Sequence, residues 1–459
     1  MKQYNYSDLT KADVQKLVQR NADPTNEIGV IVEEIIARVR EHGDSALLDY
    51  ALKFDKVELS KLYLDKADLE NIASAVTPAQ KEALQIAYDN IWKFHAAQLK
   101  TEDKIETMPG VTCWRELRPI EKVGLYIPGG SAVLPSTFLM LGIPARIAGC
   151  HELIVCSPPQ KNGSVNAFIA YVALMLGIDK IYLAGGAQAI AAMAYGTQTI
   201  TKVDKIFGPG NQFVTKAKTI VQSTTTTAID MPAGPSEVLV IADETANPVF
   251  IAADLLAQAE HGMDSQSILV CTTDKIAENV LAEVEKQVPV LPRAEIVKKA
   301  LENSYVIVAE TFDQAMDFSN QYAPEHLILA TENWKQLTPR IINAGSVFLG
   351  NLTPESAGDY ASGTNHTLPT SAYSRAYSGV SVDSFVKKIT FQYITPEGIQ
   401  NITPSVEILA ELEGLHAHKN AVSVRRPTQT LPGREGLKKE DSKVSPPAGG
   451  GDLKGADKN

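Results

Sequence analysis

The chain has 459 residues, a mass of 49.6 kDa and a formal net charge of −11, enough length for two or more domains. The acidic balance argues against nucleic acid or an anionic membrane surface as a partner. No uncharged apolar run is long enough to span a membrane, and the polar N-terminus lacks the apolar block of a signal peptide. Four cysteines without a CxxC pair favour a reducing compartment, so we expect a cytoplasmic protein.

Helical patterns dominate the first hundred residues. Residues 8–22 predict a helical arm, and 26–55 carry apolar residues at helical spacing with Gly43 as a stop signal. Residues 78–98 predict another long helix. These segments precede a change of pattern near residue 120.

From that point short apolar strands alternate with helices. The strands "VGLYIPG", "ELIVCSPP", "KIYLAGG" and "KIFGPG" are separated by predicted helices at 136–149, 165–176 and 187–196. A second set begins with "EVLVIAD" and continues through "SQSILVCTT", "SYVIVA", "HLILA" and "AGSVFLG". This alternation predicts an α/β fold with two Rossmann-like parallel-sheet domains and small N- and C-terminal helical extensions.

The predicted boundaries follow these patterns. They are 1–25 for an N-terminal helical arm, 26–127 with 236–378 for a first, discontinuous α/β domain, 128–235 for a second α/β domain, and 379–426 for a small C-terminal domain. Within the last, 385–398 predicts short strands and 404–422 helices. Residues 427–459 are rich in Pro, Gly, Lys and Asp with almost no large apolar residues, so we predict a disordered tail.

Two glycine turns directly follow predicted strands, "GGAQA" at 185–189 and "GPGNQF" at 208–213. Such loops can bring backbone N–H groups and a helix N-terminus to a phosphate. A glycine turn is also the ordinary exit of a strand from a parallel sheet, so on pattern alone both interpretations stay open. The polar residues Tyr126, Gln188 and Asn211, in or near such turns, could contact a ribose or an amide.

Five histidines fall in the last 200 residues, near carboxylates: His261, His326, His366, His416 and His418. Gln258 and His261 share one face of a helix predicted at 249–261, although His261 alone is explained more simply as a helix cap. Asp359 and His366 lie in the glycine-rich "SAGDYASGTNHTLPT", which suits a bound polar ligand or a solvated loop equally well.

The C-terminal stretch "LEGLHAHKNAV" carries Glu413, His416 and His418. Because the two histidines are two positions apart, they do not easily share one helical face. Imidazole and oxygen ligands without thiolates suit Zn, Mn or Co, and the sequence does not rank the three. Residues spread so widely along the chain form no motif by themselves.

Eight motifs give the chain a more specific resemblance: "VGLYIPGG", "AGGAQAIAAMAYGT", "VDKIFGPGN", "IDMPAGPSEVLVIAD", "LLAQAEHGMDSQSIL", "YAPEHL", "AGDYASGTNHTLPT" and "LEGLHAHKNAV". Their types and order resemble the histidinol dehydrogenase family from about residue 25 to residue 426. The resemblance implies an intertwined homodimer with one Zn²⁺ (or Mn²⁺) per subunit. It also implies oxidation of L-histidinol to L-histidine with two NAD, the final step of histidine biosynthesis.

The resemblance further implies residue roles. The metal ligands would be Gln258, His261, Asp359 and His418, with His418 supplied by the partner subunit. Substrate contacts would be Ser236, Gln258, His261, Glu325, His326, Asp359, His366, Glu413 and His418. NAD contacts would be Tyr126, Gln188 and Asn211. No role is implied for His416, and the tail from residue 427 lies beyond the family's usual end.

The stretch "YAPEHLILA" places Glu325 and His326 at the start of a predicted buried strand. Oxidation of an alcohol to an acid removes two hydrides in succession. His326, with an ordinary pKa of about 6.5, suits removal of the alcohol proton, and Glu325 suits activation of the water that hydrates the aldehyde. Adjacent side chains in an extended chain point in different directions, so both can address one reacting centre. A strand-capping salt bridge is the alternative, which the resemblance to the family disfavours.

Two other classes of function would use similar residues. A zinc hydrolase would share the metal ligands and Glu325 but would not need the glycine turns. A non-catalytic metal- or amino-acid-binding protein would tolerate the loss of Glu325 and His326. The complete set of residues favours the dehydrogenase, and an assay of NAD reduction distinguishes the three.

Overall fold

The computed structural model describes residues 1–20, 27–129, 134–232 and 234–426, so the predicted tail at 427–459 lies outside the described residues. The strands, numbered in chain order, are β1 (Lys2–Asn5), β2 (Tyr63–Leu64), β3 (Ile105–Met108), β4 (Val111–Pro119), β5 (Lys122–Tyr126), β6 (Glu152–Ser157), β7 (Ile181–Leu183), β8 (Lys205–Phe207), β9 (Ala228–Ile229), β10 (Glu237–Ala242), β11 (Gln266–Cys271), β12 (Tyr305–Val308), β13 (His326–Ala330), β14 (Ser346–Leu349) and β15 (Val386–Ile394).

The helices separate these strands along the chain. They are α1 (Lys11–Val18), α2 (Glu27–His42), α3 (Asp44–Tyr50), α4 (Lys66–Ala73), α5 (Pro78–Ala96), α6 (Pro135–Ala148), α7 (Ala167–Met175), α8 (Gly186–Tyr195), α9 (Gln212–Thr224), α10 (Pro248–Ala259), α11 (Asp274–Gln287), α12 (Ala294–Glu302), α13 (Phe312–Tyr322), α14 (Trp334–Leu337), α15 (Glu355–Tyr360), α16 (Pro396–Leu412) and α17 (His416–Ser423). The predicted α/β class is confirmed. Among the described helices, none combines the length and the apolar character needed to cross a membrane.

The first sheet has the strand order β1-β12-β11-β10-β13-β14, with parallel pairing throughout its described residues. Its central strands β10 and β13 are buried along their whole length, as expected for a parallel sheet covered on both faces. Apolar clusters lie on both faces of the sheet. β1 is an edge strand here, so the predicted arm at 1–25 is not purely helical. Its four residues are too few to show a clear strand period in the sequence.

The second sheet has the order β2-β7-β6-β5-β8-β9, and only the β2–β7 pair is antiparallel among its described strands. β5 lies at its centre, paired with β6 and β8. The predicted boundary, which grouped 26–127 with 236–378, is therefore wrong for β5. The helices α2, α4 and α5 likewise contact α8, α7 and α6 of this sheet. Strand periodicity shows that β5 exists but not which strands it pairs with.

The described chain divides into two compact units. The larger combines Met1–Glu102 with Glu116–Ile389 and contains both six-stranded sheets. The smaller combines Asp103–Arg115 with the described residues from Thr390 onward. It contains α16 and α17, of which α16 begins eight residues before the predicted helical segment at 404–422. A third sheet has the order β15-β4-β3.

Phe385 completes the core beneath the second sheet. Its ring stacks on Phe207 of β8, with 4.0 Å between the centroids, and both side chains are fully buried. Its carbonyl oxygen accepts the N–H of Ile120 at 2.9 Å. This segment therefore belongs to the larger unit, although we predicted a C-terminal domain starting at residue 379.

Substitution of Phe385 by alanine tests this placement. We expect the free energy of unfolding to fall by about 3–5 kcal/mol, because a fully buried aromatic side chain leaves a cavity. Urea unfolding followed by circular dichroism measures the change. Phe250→Ala, at a side chain that is 44% exposed, is the matched control and should cost less than about 1 kcal/mol. Equal costs for the two variants would contradict the placement of Phe385 in the core.

Candidate active site

Three neighbouring strands of the first sheet begin at one edge. β10, β13 and β14 start at Glu237, His326 and Ser346, and His326 lies opposite Val238 on one side and Ser346 on the other. Because the strands are parallel, their starts lie side by side, which brings Glu325 and His326 to Glu237. Ligands of open α/β sheets usually bind at the opposite, carboxyl edge. The fold class alone would therefore not have predicted this position.

Glu325 is buried and held by the main chain of its neighbours. Its carboxylate oxygen Oε2 accepts the N–H of Glu237 at 2.9 Å, and its carbonyl oxygen accepts the N–H of Ser346 at 2.9 Å. Burial raises the pKa of Glu325 to about 7, although the nearby His326 opposes this shift. A carboxyl group with such a pKa can exchange protons near neutral pH.

His326 is also buried, and the protein determines which of its nitrogens can act as a base. Nδ1 lies 3.2 Å from the carbonyl oxygen of Glu237. Since a carbonyl only accepts hydrogen bonds, the neutral ring carries its proton on Nδ1. Nε2 is then unprotonated. It is buried, lacks a hydrogen-bond partner, and lies 3.5 Å from Asp359 Oδ1, which is long for a hydrogen bond.

Three carboxylates surround the His326 ring. Burial disfavours its charged form, but Glu355, Glu325 and Asp359 outweigh burial and raise the pKa of His326 well above its ordinary value. Nδ1 lies 3.5 Å from Glu355 Oε1 and 3.7 Å from Glu325 Oε2. The site therefore gathers four ionisable side chains in a space largely closed to water.

Glu355 and Asp359 stand four residues apart on α15, so their side chains share one face of that helix. One ligand atom from each lies within 4.8 Å of a ring nitrogen of His261. Burial, reinforced by Asp359, raises the pKa of Glu355 well above its ordinary value. Burial also disfavours the Asp359 carboxylate, but its interactions with His326 outweigh this effect and lower its pKa.

Two carboxylates and an imidazole at this spacing fit a divalent cation with mixed N and O ligands. Of the four predicted metal ligands, this cluster contains His261 and Asp359. Glu355 was not predicted. The residue His261 is exposed by surface area, but neighbouring protein atoms partly desolvate its ring and so lower its pKa. The ring therefore tends to be neutral, as ligation requires.

Gln258, the third predicted ligand, lies in the last turn of α10 and is fully buried. In the orientation that satisfies its amide, Nε2 donates to Glu355 Oε1 at 2.5 Å and Oε1 accepts the N–H of Glu237 at 3.3 Å. The helix ends at Ala259, two residues before the predicted end. His261 therefore follows the helix, and its N–H bonds the carbonyl oxygen of Gln258 at 3.2 Å.

Two predicted substrate contacts lie in loops of the same unit. The Nδ1 atom of His366 lies 2.8 Å from the carbonyl oxygen of Asp359, and its Nε2 lies 3.1 Å from Thr137 Oγ1 on α6. His366 thereby links the cluster to the second sheet. Ser236 is half-buried directly before β10, and its carbonyl oxygen accepts the N–H of Gln266 at 3.1 Å.

The remaining two predicted residues belong to the smaller unit. Glu413 caps the C-terminus of α16, and His418 lies on α17. Both are exposed in the single chain. The cluster of His261, Glu355 and Asp359 consists of residues of the larger unit alone.

The predicted NAD contacts lie at the carboxyl edge of the second sheet. Tyr126 ends β5 and is buried, and its hydroxyl oxygen accepts the N–H of Gly186 at 3.1 Å. Gln188 is buried in the first turns of α8. Asn211 caps α9, where its Oδ1 accepts the N–H groups of Phe213 and Val214. The turns that carry these three residues therefore belong to one edge, where parallel α/β sheets usually bind ligands.

Arg20 binds the side chain of Glu237, whose main chain holds both Glu325 and His326. Its guanidinium binds both carboxylate oxygens of Glu237, at 3.0 and 2.8 Å, and stacks on the Tyr322 ring with 3.5 Å to the centroid. The N–H of Ser371 donates to the same carboxylate at 2.8 Å. This buried pair holds the first residue of β10 in place.

Sequence reasoning missed Glu355, Glu237 and Arg20. Glu355 had a readable signal, because it precedes Asp359 by four residues, the spacing of one helical face. Glu237 and Arg20 are 217 positions apart, and a single sequence gives no sign of such a pairing.

Loss of the Arg20 guanidinium should destabilise the fold strongly. Arg20→Met leaves the Glu237 carboxylate buried without its partner, which should lower the free energy of unfolding by about 3–5 kcal/mol. The double variant Arg20→Met/Glu237→Gln should recover part of that loss. Arg38→Met, which removes an exposed ion pair with Asp49, should cost less than about 1 kcal/mol. An Arg20→Met variant as stable as Arg38→Met would contradict the structural role.

Asp254, one turn before Gln258 on α10, should make stability depend on pH. Burial raises its pKa from 3.8 to about 6, although the N–H of Glu355 opposes the shift. The folded state therefore keeps a proton that the unfolded state releases. The associated stability is complete below about pH 4 and is lost as pH rises through about 6.

Asp254→Asn removes this dependence. For metal-free protein, we compare the free energy of unfolding of this variant with that of wild type. The difference should shift in favour of the variant by on the order of 1–3 kcal/mol as pH rises from about 4 to about 8. Urea unfolding at several pH values measures it, with the exposed Asp8→Asn as control. A stability difference that does not change with pH would show that Asp254 titrates normally.

Comparison with known proteins shows the family of the chain. The family model for histidinol dehydrogenase matches residues 18–426. The histidinol dehydrogenase of Bacteroides thetaiotaomicron is 55% identical over 416 residues, 91% of this chain and 97% of its own length. That of Vibrio cholerae is 52% identical over 422 residues, 92% of this chain and 97% of its own length. The crystal structure of histidinol dehydrogenase from Elizabethkingia anophelis matches with a TM-score of 0.89 and 54% identity, over 93% of this chain and 98% of that one. The chain thus belongs to the histidinol dehydrogenase family, a family of oxidoreductases.

Proposed function

We propose that the protein oxidises L-histidinol to L-histidine through L-histidinaldehyde, in two successive hydride transfers to NAD, as the final step of histidine biosynthesis. One observation carries this proposal. The main chain of Glu237 holds two adjacent proton-exchanging groups, Glu325 and His326, in different orientations beside a cluster that suits a metal ion. An oxidation that removes one proton from an alcohol and then one from water can use two such groups in succession.

We assign the metal to Gln258, His261 and Asp359, completed by His418 from the partner subunit. Glu355 lies close enough to be an additional ligand or to hold the amide of Gln258. When bound, a zinc ion (or manganese) would hold histidinol by the nitrogen atoms of that substrate. It would also offset the negative charge of the cluster. Ser236, His366 and Glu413 would complete the contacts to histidinol.

In the first step His326 acts as the general base. In its neutral form, which a bound metal ion would favour by offsetting the carboxylates that raise the pKa of the ring, its Nδ1–H donates to the carbonyl oxygen of Glu237 and the buried Nε2 can take the proton of the alcohol. The ring cannot turn without losing this hydrogen bond. The base is therefore oriented before substrate arrives, which lowers the cost of reaching the reactive geometry.

In the second step Glu325 takes a proton from the water that attacks the aldehyde. One carboxylate oxygen accepts the N–H of Glu237, and this bond fixes the carboxylate plane. With a pKa of about 7, a substantial fraction of Glu325 is ionised at neutral pH and can accept a proton. The hydrated aldehyde can then lose the second hydride.

The glycine turns at the carboxyl edge of the second sheet support NAD as the oxidant. We assign Tyr126, Gln188 and Asn211 as its contacts, because they share that edge. When bound, NAD would accept one hydride in each step. This requirement separates the proposal from a zinc hydrolase, for which these turns would have no use.

We propose a homodimer in which each active site takes residues from both subunits. Glu413 and His418 are exposed in the single chain although the proposed site needs them. On α16, Ile408, Leu409 and Leu412 are 61%, 60% and 78% exposed, an apolar face that supports contact with a second copy. We also propose a cytoplasmic location, since all four cysteines lie in the described residues and are free thiols.

Variants of the two proton-exchanging residues should separate the steps. Glu325→Gln should lower the rate of L-histidinaldehyde oxidation by on the order of 10²–10⁴-fold, because water loses its base. In a single turnover with L-histidinol, its first hydride transfer should slow by less than about tenfold. His326→Gln should instead slow that first transfer by on the order of 10²–10⁴-fold.

Stopped-flow measurement of NADH formation gives both rates. The exposed Glu310→Gln is the matched control and should behave as wild type. Metal content, measured for each variant, shows whether the cluster is intact. If Glu325→Gln slowed only the first transfer, the two assignments would have to be exchanged.

Mixed dimers test the shared site. His261→Asn and His418→Asn should each be inactive as pure dimers, because each removes a metal ligand. After unfolding and refolding together in equal amounts, half of the dimers contain one of each, and in these one of two sites has both histidines. Activity should return to about 25% of wild type. No recovery, with mixed dimers demonstrated by differential tagging, would place both histidines of a site in one subunit.

A further inference from the structure

A buried ion pair lies beneath the glycine turn at 208–211. Lys218 is on α9 and Asp230 follows β9, and their side chains are only 4% and 1% exposed. Lys218 Nζ contacts Asp230 Oδ1 directly. The Oδ1 atom of Asp230 also accepts the N–H of Met231 at 2.7 Å.

The pair binds both main-chain groups of Gly208. Lys218 Nζ donates to the Gly208 carbonyl oxygen at 3.0 Å, and the Gly208 N–H donates to Asp230 Oδ2 at 2.9 Å. Gly208 has φ of +134°, a conformation that side chains rarely adopt, and a Cβ there would collide with the carbonyl oxygen of Tyr126. The first residue of the turn is therefore fixed from both sides and pressed against β5.

Stability alone does not explain this arrangement. Burying two charges costs several kcal/mol per ion, and apolar residues of similar volume are often equally stable in such a place. Lys218 is also unsuited to binding a phosphate itself, because it is buried and engaged with Asp230 and Gly208. What the pair does achieve is a fixed path for the main chain from β8 to Asn211.

We propose that Lys218 and Asp230 are positioning residues for NAD. They hold the turn 208–211 in the conformation that binds the dinucleotide. Gly208 of this turn lies against Tyr126, and the hydroxyl oxygen of Tyr126 accepts the N–H of Gly186 in the neighbouring turn at 3.1 Å. This inference rests on the proposed use of NAD. Neither residue touches the metal cluster or the proton-exchanging pair, so the effect should be confined to the dinucleotide.

The double variant Lys218→Met/Asp230→Leu tests this role without leaving an unpaired charge. Fluorescence titration of the metal-loaded dimer with NADH should show a dissociation constant raised on the order of tenfold to a hundredfold. KM for NAD should rise in parallel, while kcat, KM for L-histidinol and metal content stay within about twofold of wild type. Lys218→Arg, which keeps the charge and the donors, should bind NADH more tightly than the double variant.

The surface pair of Lys298 and Glu295 provides the matched control, as Lys298→Met/Glu295→Leu. A folded double variant at 218 and 230 with wild-type affinity for NADH would overturn the positioning role. A wild-type enzyme that neither binds NADH nor reduces NAD would overturn the proposed function and this inference together. If the double variant does not fold, Asp230→Asn takes its place, because it keeps one acceptor for Gly208. It should weaken NADH binding selectively, and an unchanged affinity would overturn the role.

Discussion

The candidate active site depends on one residue, Glu237, whose main chain binds two side chains at once. Its N–H fixes the carboxylate of Glu325, and its carbonyl oxygen fixes the ring of His326. Because both bonds come from the first residue of a central strand, the two groups have the rigidity of the sheet itself. The Glu237 side chain is bound by Arg20, which keeps that strand end in place.

The candidate residues of the larger unit lie at the amino edge of one sheet and at the carboxyl edge of the other. The proton-exchanging pair and the cluster of His261, Glu355 and Asp359 lie at the amino edge of the first sheet. The glycine turns lie at the carboxyl edge of the second sheet, where α/β proteins usually bind ligands. His366 connects the two regions through Thr137 of α6. Separate rigid elements can thus bind a substrate at the cluster and a dinucleotide at the turns.

Much of this could be read from the sequence, and the failures share a physical cause. Periodicity predicted the longer strands of the two parallel sheets, and short motifs singled out Glu325, His326 and Asp359 as candidates, because these signals are local. Pairing between distant segments is not local. The membership of β5 in the second sheet and the bond between Arg20 and Glu237 therefore had no signature in one sequence. The spacing of Glu355 and Asp359 fits one helical face, but Glu355 was still missed. Acidic residues four positions apart are common on solvent-exposed helices, so the spacing alone does not indicate a site.

The most direct test of the account is the number of NADH molecules formed per L-histidinol consumed, with and without a chelator. Two NADH per L-histidinol, lost on chelation and restored by Zn²⁺ or Mn²⁺, is the result that we predict. One NADH with accumulation of L-histidinaldehyde would contradict the role assigned to Glu325. No NADH from a folded, metal-loaded sample would contradict the proposed activity as a whole.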